Sequence, residues 1–169
     1  MKTNLITVLI VALTALSCNE SDPCDKQLCS GHGTCIDGDC YCESGFEGSE
    51  CTTEWSAKFV GTWKGKSNCL YSVDTVGGPP PISKVFTATV TRLGEKKIRV
   101  ANFGGAAGSI DLDLTGTKTL AVFNEFNTTS SVLYTGKGTV DEALKITLIY
   151  SETNFVTGDK FECAGTLVK

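Results

Sequence analysis

The chain has 169 residues, of which 41% are hydrophobic, 20% charged and 8% aromatic, and its formal net charge is −4. This composition is ordinary for a folded protein made of one modest domain plus a small one. Mild acidity without a cluster of lysine or arginine argues against nucleic acid as a partner and against a polybasic membrane-surface patch. The nine cysteines suggest metal or catalysis in a reducing compartment, but disulfides in an exported chain.

The first predicted element is a targeting segment. Residues 1–17 carry one charge, Lys2, and an apolar run from Leu5 to Leu16. The run is too short for a stable transmembrane helix and has the length of a signal-peptide core. The sequence Leu16-Ser17-Cys18 that follows resembles the lipobox of bacterial lipoproteins. The resemblance implies that Cys18 is acylated with fatty acids such as palmitate and anchors the exported protein in the cell envelope, in the outer membrane or at the surface.

An alternative for Cys18 is that it only precedes an ordinary cleavage site. Lipidation leaves eight cysteines, an even number, whereas a free Cys18 leaves a secreted protein with an odd reactive thiol. The parity of the cysteines therefore favours lipidation. Residues 18–23 then form a short acidic tether, similar to the surface-export signals of some Gram-negative lipoproteins.

Residues 24–51 are predicted to form a small module rich in disulfides. It contains Cys24, Cys29, Cys35, Cys40, Cys42 and Cys51. Six cysteines allow fifteen pairings, and their spacing alone does not choose among them. A segment this short cannot bury enough apolar area to fold without cross-links. Export argues against thiolates for zinc, and a thioredoxin-type C-x-x-C is absent, so neither a metal nor a redox site is predicted.

The module resembles a known family. The run Cys29-Ser30-Gly31-His32-Gly33-Thr34-Cys35, Gly38 before Cys40-Tyr41-Cys42, and Gly45-Phe46-x-Gly48 before Cys51 are similar to a short, tenascin-type epidermal-growth-factor-like (EGF-like) module. The resemblance implies the pairs Cys24–Cys35, Cys29–Cys40 and Cys42–Cys51. Calcium-binding members of the family carry acidic residues before the first cysteine, where this chain has only Asp22, so no calcium site is predicted.

Residues 55–169 show the alternation of β-strands. The apolar members of three such runs are Phe86, Ala88, Val90; Ile110, Leu112, Leu114; and Leu144, Ile146, Leu148, Tyr150. Period-two alternation indicates strands with one wet face, and strand centres recur roughly every 11 residues. We find no helical period of useful length. The prediction is an all-β fold in which an up-and-down antiparallel meander of about eight strands closes into a barrel, with a β-sandwich as the alternative.

The start of this domain carries a short motif. Phe59-Val60-Gly61-Thr62-Trp63 resembles the opening of lipocalin-type and related calycin barrels, in which the tryptophan plugs the closed end. The alternative is a strand whose Trp63 belongs to the core and whose Gly61 lets it pack. Cys69, placed just after the first strand, and Cys163, in the last, are predicted to form a bridge that closes a loop of about 95 residues.

Two modification signals stand in predicted loops. Residues 72–83 contain three of the four prolines and are expected to form a stiff exposed loop rather than a central strand. In this loop, Asp74-Thr75-Val76 resembles the site of O-glycosylation used by some Gram-negative bacteria, although these residues are also ordinary turn formers. Asn127-Thr128-Thr129 matches the N-glycosylation sequon, which we discount for a bacterial protein.

No catalytic arrangement is predicted. The single histidine lies in the cysteine-rich module, which excludes a Ser-His-Asp or Cys-His set. Asp111 and Asp113 lie about 7 Å apart on one strand face, but the wet face of an apolar strand explains them more simply than an acid/base pair. We therefore expect a lipid-anchored envelope protein, not an enzyme, that needs no cofactor. Its β-domain is expected to bind a small apolar ligand inside, or a protein or glycan partner through its loops; a purely structural or adhesive role and, less favoured, a small hydrolase are the alternatives.

Overall fold

The structure, a computed structural model of the chain, describes residues 22–72, 80–117, 119–141 and 143–169, without the side chains of 120–122. The predicted signal peptide, Cys18 and the possible glycosylation site at Thr75 lie outside the described residues. Within the described ranges, no helix has both the length and the apolar character needed to cross a membrane.

The N-terminal module consists of two small hairpins held by disulfides. After a 3₁₀ turn, η1 (Cys29–Gly31), strands β1 (Gly33–Ile36) and β2 (Asp39–Cys42) pair, as do β3 (Phe46–Glu47) and β4 (Thr53–Glu54). The bridges are Cys24–Cys35, Cys29–Cys40 and Cys42–Cys51, the pairs that the EGF-like resemblance implies. The β3–β4 pairing carries the module to Glu54, beyond the predicted end at Cys51.

The rest of the described chain is an antiparallel barrel of eight strands. They are β5 (Gly61–Tyr71), β6 (Ile82–Gly94), β7 (Lys97–Ala101), β8 (Ser109–Gly116), β9 (Thr119–Asn127), β10 (Val132–Val140), β11 (Ile146–Asn154) and β12 (Lys160–Val168). Each strand pairs with the next in sequence, and β12 pairs with β5 to close the ring. The predicted all-β class and the up-and-down barrel are therefore confirmed, and the β-sandwich alternative is wrong.

Several local boundaries differ from the sequence prediction. β5 runs to Tyr71, so Cys69 lies inside the first barrel strand and pairs in register with Cys163, to which it is bridged. β6 begins at Ile82, within the predicted loop 72–83. Leu144 precedes β11 and has φ of +57°, because a turn that starts at Asp141 separates it from the strand.

One end of the barrel, where β5 begins, is closed by aromatic rings; we call it the closed end. Trp63 is fully buried there and its indole N–H donates to the carbonyl of Phe59 at 2.7 Å. Phe59, which is also fully buried, belongs to a second 3₁₀ turn, η2 (Ala57–Phe59). The Lys169 ammonium covers the Trp63 ring from outside, 5.5 Å from its centroid. Gly61 has φ of +133°, a backbone conformation that favours glycine at this entry point.

The module is attached at this closed end. Residues 55 and 56 join it to the barrel: Trp55 is buried and its indole donates to the Phe46 carbonyl at 2.9 Å, while the Ser56 N–H donates to Glu95 at the β6–β7 turn. An ion pair between Arg92 and Glu54, at 2.8 Å, spans the same junction. The opposite end of the barrel, where β5 and β11 finish, is therefore directed away from the module; we call it the mouth.

Candidate functional site at the barrel mouth

The centre of the barrel is filled by aromatic side chains. Phe103 lies on a third 3₁₀ turn, η3 (Phe103–Gly105), and enters the barrel between β7 and β8. Its ring centroid lies 5.1 Å from that of Tyr134 and 5.2 Å from that of Tyr150. The cavity between Trp63 and Phe103 measures about 10 Å³, roughly the space that one water molecule needs. A ligand inside the barrel would therefore require side chains to move.

A depression of about 330 Å³ opens at the mouth, above the aromatic cluster. It is bounded by η3 on one side and by the mouth ends of β6, β10, β11 and β12 on the others. Its lining is Lys84, Gly104, Gly105, Ala106, Val132, Tyr134, Glu152, Asn154, Asp159 and Phe161. The volume is at the lower end of the range seen for small-molecule sites.

A charged pair lies within this depression. The Lys84 ammonium donates to Oε2 of Glu152. Glu152 is only 6% exposed, and its other oxygen, Oε1, is buried without a hydrogen-bond partner among the described residues. An unsatisfied buried acceptor costs about 1–3 kcal/mol, and a charged one costs more. A group of this kind marks a place where a further donor would be stabilising.

The turn η3 packs closely against this oxygen, which a residue with a Cβ could not do without a shift. Gly104 has φ of +63°, and a Cβ built on it would lie 2.9 Å from Oε1 of Glu152 and 3.6 Å from the Tyr134 hydroxyl. The preceding residue, Asn102, is also left-handed, and its side-chain amide donates to the Thr87 carbonyl at 2.7 Å. The turn is thus fixed to β6 on one side, while Phe103 holds it to the core.

Two buried tyrosines form the floor. The Tyr134 hydroxyl donates to the Phe103 carbonyl at 3.3 Å, and the Tyr150 hydroxyl donates to Oγ of Ser67 at 3.0 Å. Burial raises the pKa of Tyr150 to about 12. Burial, followed by the nearby charge of Glu152, raises the pKa of Tyr134 well above its ordinary value. Both phenols are therefore neutral hydrogen-bonding groups at physiological pH.

A second carboxylate stands at the rim. Asp159 accepts a hydrogen bond from the Tyr71 hydroxyl at 3.2 Å and another from the Thr157 hydroxyl at 2.5 Å. The loop that carries it is organised by Asn154, whose side-chain oxygen accepts from the N–H groups of Val156 and Thr157 at 2.8 and 3.1 Å. Both hydroxyls that donate to Asp159 are neutral, so its charge adds to that of Glu152.

Glu152 also lies near the bridged cysteines. One carboxylate oxygen and the two sulfur atoms of Cys69 and Cys163 all lie within 4.8 Å of one another. The two sulfurs are joined to each other in a disulfide, however, and a thiolate is the form that binds a metal. We assign no metal site to this group.

The barrel-start motif and the two aspartates singled out in the sequence lie away from the mouth. Gly61 and Trp63 are at the closed end, where they serve packing. Asp111, on the outer face of β8, accepts two hydrogen bonds from Arg99 at 2.7 and 2.9 Å, and these lower the pKa of its carboxyl. Asp113 lies 3.7 Å from Lys97. Cross-strand ion pairs with β7 therefore account for both carboxylates.

The mouth residues were missed by sequence reasoning, although a signal was present. Glu152 is in phase with the inward positions Leu148 and Tyr150 of β11, and Lys84 is in phase with Phe86 of β6. A charged residue at a core-facing position of a strand is costly unless it is paired. Extending each alternation by one step would have indicated two core-facing charges of opposite sign, although not that they meet.

Comparisons with known proteins concern the module more than the barrel. Residues 24–54 match the family model described as Teneurin-like EGF domain. The N-terminal module is thus EGF-like, as the sequence resemblance indicated. A search of curated proteins finds no match to the chain.

The barrel has remote structural likenesses. One is a Bacteroides ovatus crystal structure described as structural genomics, unknown function, matched over 64% of this chain and 40% of that one, with 12% identity and a TM-score of 0.47. A redesigned β-barrel is matched over 70% of this chain and 96% of its own length, with 12% identity and a TM-score of 0.46. The chain therefore spans two fifths of the Bacteroides protein, and neither likeness carries a functional argument.

Proposed function

We propose that the protein is an exported, lipid-anchored binding protein of the bacterial cell envelope, and that it binds its ligand or surface partner at the barrel mouth. Three features support the anchor: the apolar run before Cys18, the acidic tether, and the even number of cysteines that remains. The four disulfides are suited to an oxidising compartment outside the cytoplasm.

The arrangement of the two parts supports binding at the mouth. The EGF-like module docks on the closed end, on the anchor's side of the chain, and acts as a spacer. The mouth is at the far end of the barrel and is directed away from the module that follows the proposed anchor in sequence. The single observation that carries the proposal is the contrast between an interior cavity of about 10 Å³ and a mouth depression of about 330 Å³ that holds a partly buried ion pair.

The anchor is tested by mass and by fractionation. Cys18→Ser should abolish the mass increase of a multiply acylated N-terminus and release the protein from the membrane fraction. Ser17→Ala, which keeps the cysteine, is the matched control and should remain in the membrane. A Cys18→Ser protein that stays in the membrane would contradict the anchor.

Binding is tested by mapping where small molecules contact the intact mature protein. In a fragment screen followed by amide chemical shifts, the perturbed residues should cluster around Gly104, Glu152 and Phe161. Perturbations confined to the outer wall of the barrel would contradict the proposal. Perturbations centred on Trp63 and Leu148 would instead favour an apolar ligand within the barrel, the version that requires Phe103 to move.

A further inference from the structure

We infer that the mouth depression recognises a primary ammonium group carried on an apolar body, with Glu152 as its principal acceptor. The inference rests on the proposed function, because it names the chemistry of the ligand at that same site. The ammonium can belong to a free amine or to a lysine side chain presented by a surface protein. The chemistry of recognition is shared by both sources.

The first argument is the unsatisfied oxygen. Glu152 is only 6% exposed, yet just one of its two carboxylate oxygens has a hydrogen-bond partner among the described residues. A buried carboxylate is normally satisfied at both oxygens, because the charge strengthens each hydrogen bond and raises the cost of a missing one. The depression therefore holds an acceptor just below its surface, which a donor from outside can satisfy once the groups that cover Oε1 move apart.

The second argument is charge. The described lining of the depression contains two carboxylates, Glu152 and Asp159, but only one cation, Lys84. Its net charge is negative, so an anionic ligand is repelled and a cationic ligand is attracted. A neutral hydroxyl could donate to Oε1 of Glu152 but would leave the excess charge unbalanced. An ammonium group supplies both the donor and the charge.

The third argument is the apolar wall. Phe161 and Tyr134 line the same depression, and the Lys84 ammonium already lies 5.9 Å from the centroid of the Phe161 ring. Cations are attracted to the faces of aromatic rings within about 6 Å. The internal lysine thus occupies the kind of environment that an external ammonium would enter, and the rings, with Val132, provide contact for an apolar body.

The test compares three probes of nearly equal shape on the full mature protein in detergent. They are 2-phenylethylamine, 2-phenylethanol and 3-phenylpropionate, titrated at neutral pH while amide chemical shifts are recorded. The amine should bind at the mouth at least tenfold more tightly than the alcohol, and the carboxylate should not bind there. Equal affinity for the three probes overturns the inference.

Two variants are expected to change the affinity for the amine in opposite directions. Glu152→Gln keeps the shape of the side chain but removes its charge, and should weaken binding of the amine at least tenfold. Lys84→Met removes the internal ammonium that competes for Glu152, and should tighten binding about threefold or more. Loss of folding cannot produce a tighter complex, so the second variant keeps the test valid if the first is unstable.

The matched control is Glu162→Gln. Glu162 lies on the outer face of β12, in register with Ser151 of β11. The substitution therefore makes the same change of charge outside the barrel. Affinity for the amine should be unchanged. If Glu162→Gln weakens binding as much as Glu152→Gln does, the ammonium binds the outer wall and the inference is wrong.

The source of the ammonium is resolved with a fourth probe, N-acetyl-lysine methylamide. Binding at the mouth as tight as that of 2-phenylethylamine supports a lysine side chain of a partner protein, whereas binding of the free amine alone supports a small molecule. If an ordered water alone serves Oε1, no amine probe perturbs the mouth and the inference is overturned. Fragments that bind at the mouth without preferring an ammonium overturn the inference but leave the proposed function standing.

Discussion

At the closed end of the barrel, Trp63 rests on Phe59, its indole N–H is satisfied, and Lys169 shields the ring from outside. At the mouth, core-facing positions of the strands hold Lys84 and Glu152, and one oxygen of that pair has no partner among the described residues. Both ends use the same strands and the same alternation. The difference shows that the closed end is built for stability, whereas the mouth retains polar groups that stability alone does not explain.

The largest expected effect comes from the bridge near the mouth. Replacing both Cys69 and Cys163 by alanine removes a cross-link between residues 94 apart in sequence, and should cost about 4–5 kcal/mol in the chain-entropy model. A lower urea midpoint with a steeper slope would show this, because the unfolded chain exposes more surface without the cross-link. The mouth, which lacks a tryptophan plug, should then be the first region to gain hydrogen exchange. Equal gains in hydrogen exchange at both ends would contradict the proposed difference between the mouth and the closed end.

The closed end is tested by Trp63→Ala. Removing a fully buried tryptophan should cost about 3–5 kcal/mol, because a cavity is left beside Phe59 and the hydrogen bond to its carbonyl is lost. Phe155→Ala is the control, since Phe155 is 64% exposed at the mouth, and should change stability by less than about 0.5 kcal/mol. Urea unfolding of both variants provides the measurement. A small effect at Trp63 would mean that the closed end does not hold the fold.

Alkaline pH should destabilise the mouth through Tyr150. The pKa of Tyr150 is about 12 in the folded protein, against about 10 in an unfolded chain. The stabilisation linked to this tyrosine is therefore present in full below pH 10 and is lost as the pH rises from 10 to 12. Its size is about 2–3 kcal/mol, because each pKa unit corresponds to about 1.4 kcal/mol.

Tyr150→Phe separates this effect from general alkaline unfolding. The variant should lose about 1 kcal/mol at neutral pH with its hydrogen bond to Ser67, but its stability should fall less steeply above pH 10. Tyr41→Phe is the control, because Tyr41 is 63% exposed in the EGF-like module, and should keep the slope of the parent protein. Unfolding by urea at pH 8, 10 and 11 measures all three. If the stability of Tyr150→Phe and of the parent protein fell equally steeply above pH 10, the alkaline destabilisation could not be assigned to Tyr150 at the mouth.

Much of this architecture could be predicted because it follows from local patterns. The alternation of Ile110, Leu112 and Leu114 places a strand face without knowledge of its neighbours, and regular turns between such runs indicate a meander. Spacing alone could not pair the six cysteines of the module, and the family resemblance was needed. Strand ends were less predictable: β6 begins directly after Pro81, in a segment that its prolines marked as loop.

The mouth could not be predicted in the same way, because its residues are distant in sequence. Lys84 and Glu152 are 68 residues apart and meet only after the β-strands between them have closed the ring. Gly104 matters because its backbone, with φ of +63°, lies against Glu152. This contact joins the β7–β8 connection to β11, and no local sequence pattern contains it. Sequence alternation shows that a charged residue faces inward, but only the closed barrel shows what it meets.

The smallest expected effect tests whether the outer carboxylates are only surface groups. The Arg99 hydrogen bonds lower the folded pKa of Asp111, so its stabilisation is present above the ordinary aspartate pKa and is lost as the pH falls through the lower folded value. Asp111→Asn should cost about 0.3–1 kcal/mol at pH 7, and the loss should vanish at acid pH and shrink in high salt. Asp113→Asn, at a longer distance from its lysine, should cost less. If Asp111→Asn instead abolished binding of ligands at the mouth, function would extend to the outer wall and the contrast between the two ends would no longer describe the molecule.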